Sequence, residues 1–125
     1  MLGYVWLIVA GVLWLLFADL FLAGPLYDAM VHAVLVGFVF SMILGHAPII
    51  VPALTQREVR YTALFYGPLA LLHVSLIVRL YGDLWPDTTL RLWGGLFNEV
   101  AVMIFLPLLV SRIVKPQRAP VGTRP

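Results

Sequence analysis

The sequence predicts an all-α fold, a four-transmembrane-helix bundle with both termini cytoplasmic. Two observations carry this reading. Of 125 residues, 62% are hydrophobic and 11% charged, with a mean hydropathy of +1.01, and a small globule has too little interior to hide that much apolar surface from water. The apolar residues also come in continuous runs of about 20, the length that crosses a bilayer as a helix, and not in the alternating segments of about ten that a barrel needs. One transmembrane domain, residues 1–115, accounts for the chain and leaves no room for a soluble catalytic domain.

The first run, Tyr4 to Leu22, lacks the basic start of a secretory signal, and Leu22-Ala23-Gly24 is followed by Pro25, a poor cleavage setting. It is read as a retained helix. Gly24-Pro25 breaks the chain before the second run, residues 27–54, and the polar stretch Thr55 to Arg60 separates that from the third, residues 61–81. Gly82 to Asp87 is expected to be a loop leading to a helix cap at Asp87 or Thr88, with the fourth helix over about residues 92–114. The tail, residues 116–125, holds three prolines and no aromatic residue, a composition that predicts disorder.

An even number of crossings puts Arg57, Arg60, Arg112, Lys115, Arg118 and Arg124 on one side and only Arg79 and Arg91 on the other. The positive-inside rule then orients the chain as a multi-pass protein of the cell inner membrane, with Asp28, Asp83 and Asp87 outside. Tyr27, Tyr81, Trp85 and Trp93 are expected to form an outer aromatic belt, and Tyr4, Trp6 and Tyr61 an inner one. Four of the eight basic residues lie at or beyond the end of the last apolar run, so the basic balance speaks of topology and not of nucleic acid. With no cysteine, disulfides, thiolate metal sites and lipidation at a lipoprotein cysteine are excluded.

The second helix carries Ala29, Ala33, Gly37, Ser41 and Gly45 at a spacing of four. Such a stripe lets another helix approach closely in lipid, either inside the bundle or as the seam of a homodimer. The chain is expected to form a homo-oligomer or to serve as a subunit of a larger membrane complex.

All three histidines fall inside predicted spans, where an ionisable group is costly unless it is paired. His32 and His46 are fourteen residues apart; on a regular α-helix they point within about 40° of each other, some 21 Å apart along the axis. His73, on the antiparallel third helix, comes opposite a position between about 35 and 42 of the second, and His32 is the favoured partner. Asn98 and Glu99 of the fourth helix are expected near the same level, with Asp19 closer to the outer surface. His46, in Gly45-His46-Ala47-Pro48, is expected either to ligate at the inner level or to bond to carbonyls freed by Pro48 and Pro52.

Neutral imidazoles on two facing helices bind iron axially while the porphyrin edge packs on apolar side chains. The expected cofactor is haem, held by His32 and His73, with Asn98 and Glu99 around them. Copper, bound by histidine with Met42 or Met103, is the alternative. Packing alone, or proton or metal handling by His32, His73 and Glu99 in a transporter or accessory subunit, remains open. Zinc hydrolysis lacks a third ligand together with a base.

The segment from His32 and Ala33 through Val36-Gly37 and Met42 to Leu44-Gly45-His46 resembles the histidine-bearing helices of haem-copper oxidase and NnrS-like membrane haem proteins. Its interval between histidines is also similar to that of dihaem cytochrome b helices. The resemblance implies a b-type haem between helices, at His32 and His73, and electron transfer or haem-based binding of a small gas or quinone.

Overall fold

The computed structural model describes residues 2–20, 23–56, 59, 62–85 and 87–113. Among the described residues four main helices make up the fold: α1 (Leu2–Leu16), α2 (Pro25–Thr55), α3 (Ala63–Leu84) and α4 (Thr88–Ser111). The last three are long and apolar enough to cross a membrane. The predicted tail lies outside the described residues, as do Arg57, Arg60, Tyr61, Lys115, Arg118 and Arg124.

The first helix is shorter than predicted. It ends at Leu16, a bend follows at Phe17, and a short tight turn over Ala18–Leu20 carries Asp19. Fifteen helical residues span about 22 Å, less than the hydrocarbon core of about 30 Å.

α2 starts where the sequence demands. Gly24 takes φ 127°, a conformation open to glycine, and Pro25 fills the first helical position, where its missing N–H costs nothing. Between Ala33 and Phe40 the helix widens to a π-helical stretch. That widening explains the stripe. In an α-helix, residues four apart drift by about 40° per step, yet Ala29, Ala33, Gly37 and Ser41 are all buried because the wider turn holds a spacing of four on one face. Once the α-helix resumes, the buried positions become Ser41, Leu44 and Ala47, and Gly45 is exposed with nothing near it.

The stripe is therefore used inside the bundle. A Cβ on Gly37 would stand 2.5 Å from Trp6 and 2.9 Å from Leu76, so a larger residue there strikes α1 and α3. This removes the footing of a homodimer seam along Ala29 to Ser41.

α3 runs three residues beyond its predicted end, through Gly82, Asp83 and Leu84, and α4 begins four residues early, at Thr88. The expected loop shortens because glycine lets the two helices meet at once: a Cβ on Gly82 would lie 2.8 Å from the backbone nitrogen of Arg91. Asp87 caps α4 as expected, accepting from the Thr89 and Leu90 amides at 2.8 and 3.2 Å.

The core has two parts. Ala10, Leu13, Ala29, Met30, Ala33, Leu76 and Leu80 join α1, α2 and α3. Leu44, Ala47, Phe65, Leu72, Ala101 and Phe105 join α2, α3 and α4. At the far end, Val59 pairs with Ile113, which brings the α2–α3 connection against the end of α4. Most other apolar side chains face outward, among them Leu15, Leu54, Leu92 and Met103, as expected where the solvent is lipid. Tyr27, Tyr81, Trp85 and Trp93 are exposed, as an aromatic belt requires. Trp6, expected at the interface, instead turns into the bundle.

Candidate functional site

The polar side chains fall into three settings, not the single cluster the sequence suggested. The first is at the end where α2 begins. Asp28, one turn into α2, accepts from Arg79 of α3 at 2.6 Å and from Arg91 of α4 at 3.2 Å. Arg91 Nε also lies 2.6 Å from Asp83 Oδ1 as an ion pair, although its N–H is not directed at that oxygen. The Asp83 side chain is wholly buried, and Arg79 Nη1 donates to the Arg91 carbonyl at 3.2 Å. Gly94 and Gly95 admit Arg79, because a Cβ on either would approach it within 2.6 Å. Two aspartates and two arginines thus tie α2, α3 and α4 together with balanced charge.

His32 belongs to this network. Its Nδ1 donates to the Asp28 carbonyl at 2.8 Å and lies 3.3 Å from the Asp28 carboxylate. Sequence reasoning placed Asp28, Asp83, Arg79 and Arg91 on one side without seeing them as one unit. The available signal was four opposite charges within about a turn or two of helix ends that antiparallel packing must bring together.

The second setting is nearer the other end. His46 donates from Nδ1 to the Met42 carbonyl at 2.8 Å. That acceptor is not one of the carbonyls freed by Pro48 and Pro52, which belong to Leu44 and Pro48. His73 accepts at Nδ1 from Trp6 Nε1 at 2.9 Å, with the two rings 6.4 Å apart and nearly parallel. His46 and His73 line one pocket of about 330 Å³, together with Gly3, Ser41, Met42 and Tyr66. The structure therefore brings His73 to His46, whereas the sequence favoured His32. The π-helical stretch between His32 and His46 also voids the count of 100° per residue that aligned them.

The ring nitrogens decide what each histidine can do. A neutral imidazole carries one proton, so donation from Nδ1 leaves Nε2 with a lone pair, and acceptance at Nδ1 puts the proton on Nε2. His32 and His46 are in the first state, suited to ligate a metal; His73 is in the second, a donor. Among the described residues no group of three or more His, Asp or Glu is placed to hold a metal ion.

The third setting is the middle of α4. Asn98 is 7% exposed, and its Oδ1 accepts from the Ser75 hydroxyl at 2.5 Å. The Leu72 carbonyl, 3.0 Å from the Ser75 hydroxyl, is a second acceptor that competes for its one proton. Glu99 is exposed, facing an apolar groove away from His32 and its network. Asp19 is likewise exposed.

Residues 1–114 match the family described as Domain of unknown function (DUF8744). The chain belongs to this family. No curated protein and no solved structure matches it. The DUF8744 region includes all three settings and all four helices.

Proposed function

We propose that this DUF8744 protein is a haem b-binding subunit of the cell inner membrane, serving electron transfer or haem-based binding of a small ligand, with His46 as the residue that would hold the iron. The observation that supports this reading is the His46 ring: Nδ1 donates to the Met42 carbonyl, which leaves the Nε2 lone pair available to a metal. The Trp6 bond to His73 does not fit the pairing of His32 with His73, since His73 then has no free lone pair. When bound, haem supplies a one-electron couple. The chain's own residues orient the His46 ring through Met42, present apolar walls, and offer His73 Nε2–H as a donor in the same pocket. A second ligand would have to come from another chain, in keeping with a homo-oligomer or a larger complex.

Absorbance tests this directly. The protein purified after growth with ample haem should show a Soret band that His46→Ala abolishes and that His32→Ala and His73→Ala largely retain. A colourless wild type, or a band lost with His73 but kept without His46, refutes the assignment. Met42 beside His46 in one pocket favours copper as the second reading, since thioether and imidazole together suit Cu(I). Copper retained stoichiometrically by a colourless protein would select it.

Within this reading the chain crosses four times with both termini cytoplasmic. A periplasmically active reporter fused after Val121 should be silent. Strong activity there reverses the orientation.

A further inference from the structure

Two of the three histidines bond alike. His32 and His46 each turn Nδ1 back onto the carbonyl four residues earlier in their own helix, that of Asp28 and that of Met42, at 2.8 Å in both cases. A carbonyl only accepts, so the ring proton is on Nδ1 and the lone pair on Nε2. His73 has Leu69 at the same place, one turn back in α3, yet it departs from the pattern. Its Nδ1 accepts instead from the indole N–H of Trp6, 67 residues away in the chain. An indole nitrogen only donates, so this bond runs in one direction and puts the His73 proton on Nε2.

The fold makes room for this partner. A Cβ on Gly37 would stand 2.5 Å from Trp6 Cγ, so the glycine is what lets the indole turn inward, against the core of α1, α2 and α3. His73 lines the pocket that holds His46, whereas Trp6 stands behind it and is not one of the lining residues. Trp6 therefore acts on the pocket only through the His73 ring. Without the indole N–H, that ring is free to take the state of the other two histidines, with its proton on Nδ1 toward the Leu69 carbonyl and a lone pair on Nε2.

We infer that Trp6 is a positioning residue for this pocket: its N–H holds His73 as an Nε2–H donor and bars it from ligating, which leaves His46 as the imidazole that takes the metal. The consequence for metal rests on the proposed function; the hold on the His73 proton does not.

The test begins with long-range 1H–15N spectra of the metal-free protein in detergent micelles, which show which nitrogen of each imidazole carries the proton, His73 being assigned by its loss in His73→Ala. The wild type should show His73 protonated at Nε2 and His32 and His46 at Nδ1. Trp6→Phe removes the N–H and keeps an aromatic ring against the core; it should shift the His73 pattern toward that of the other two and leave theirs in place. Titration with Cu(I) against bicinchoninate then reads the effect on ligation. Trp6→Phe should bind about tenfold tighter, the low end of what outer partners of metal ligands are worth, and adding His73→Ala should cancel the gain. A His73 ring protonated at Nδ1 in the wild type overturns the inference whatever the stability of the variant. So does a His73 pattern that Trp6→Phe leaves unchanged, or a gain in affinity that survives His73→Ala, since the pocket would then have been opened by lost packing. A tautomer shift in a protein that gives no Soret band and takes no Cu(I) keeps the hold of Trp6 on His73 and strikes the proposed function instead.

Discussion

Gly94→Ala should destabilise the protein more than any other addition of a single methyl group to its helices. A Cβ at this position would lie 2.6 Å from the Arg79 backbone nitrogen and 2.7 Å from its Cα, so no side-chain rotation relieves the collision and α3 and α4 must separate. Overpacking costs typically about 1–3 kcal/mol where side chains can adjust; against backbone the cost should reach or pass the top of that range. The crossing also carries the Ser75–Asn98 bond and the Arg79 contact to the Arg91 carbonyl, which separation would break. Internal controls are at hand. Gly11, Gly45 and Gly67 have nothing within 4 Å, and alanine there should be neutral or stabilise by roughly 0.5–1 kcal/mol through helix propensity. Thermal midpoints of the four variants in one detergent would show the contrast. Equal midpoints for Gly94→Ala and Gly45→Ala would mean that the helices do not approach as described.

Removing the guanidinium in Arg91→Leu should cost about 3 kcal/mol, the low end for stripping a buried ion pair of one partner, because Arg91 is itself partly exposed. The loss falls chiefly on Asp83, whose side chain is 0% exposed and keeps no other cation at ion-pair distance among the described residues. Asp28 fares better, since Arg79 remains 2.6 Å away. Two companion variants separate charge from packing. Arg91→Lys should fall between wild type and Arg91→Leu, keeping the charge without the planar fork that reaches Asp28 and Asp83 together. Adding Asp83→Leu to Arg91→Leu should recover part of the stability, because the uncompensated carboxylate is gone. A double variant less stable than Arg91→Leu alone would show that Asp83 has a role beyond pairing.

By itself the sequence determined the membrane class, the number of helices and most of their limits. Those rest on local quantities: long apolar runs, Gly24-Pro25, and the Asp87 cap, each acting within a few residues. It also exposed the polar residues that need an explanation, since an ionisable group inside an apolar run is visible without coordinates. Which of them meet was decided only by tertiary structure. Helical phase is cumulative, so one π-helical stretch between Ala33 and Phe40 was enough to keep Ala29 to Ser41 on a single buried face and to undo the alignment of His32 with His46. Depth between antiparallel helices depends on how closely they approach. That is set by contacts such as Gly37 against Trp6 and Leu76, between residues far apart in the chain, and it placed His73 against Trp6 and in one pocket with His46. The same close packing of glycines placed Arg79 and Arg91 between Asp28 and Asp83, and left Glu99 facing outward from α4.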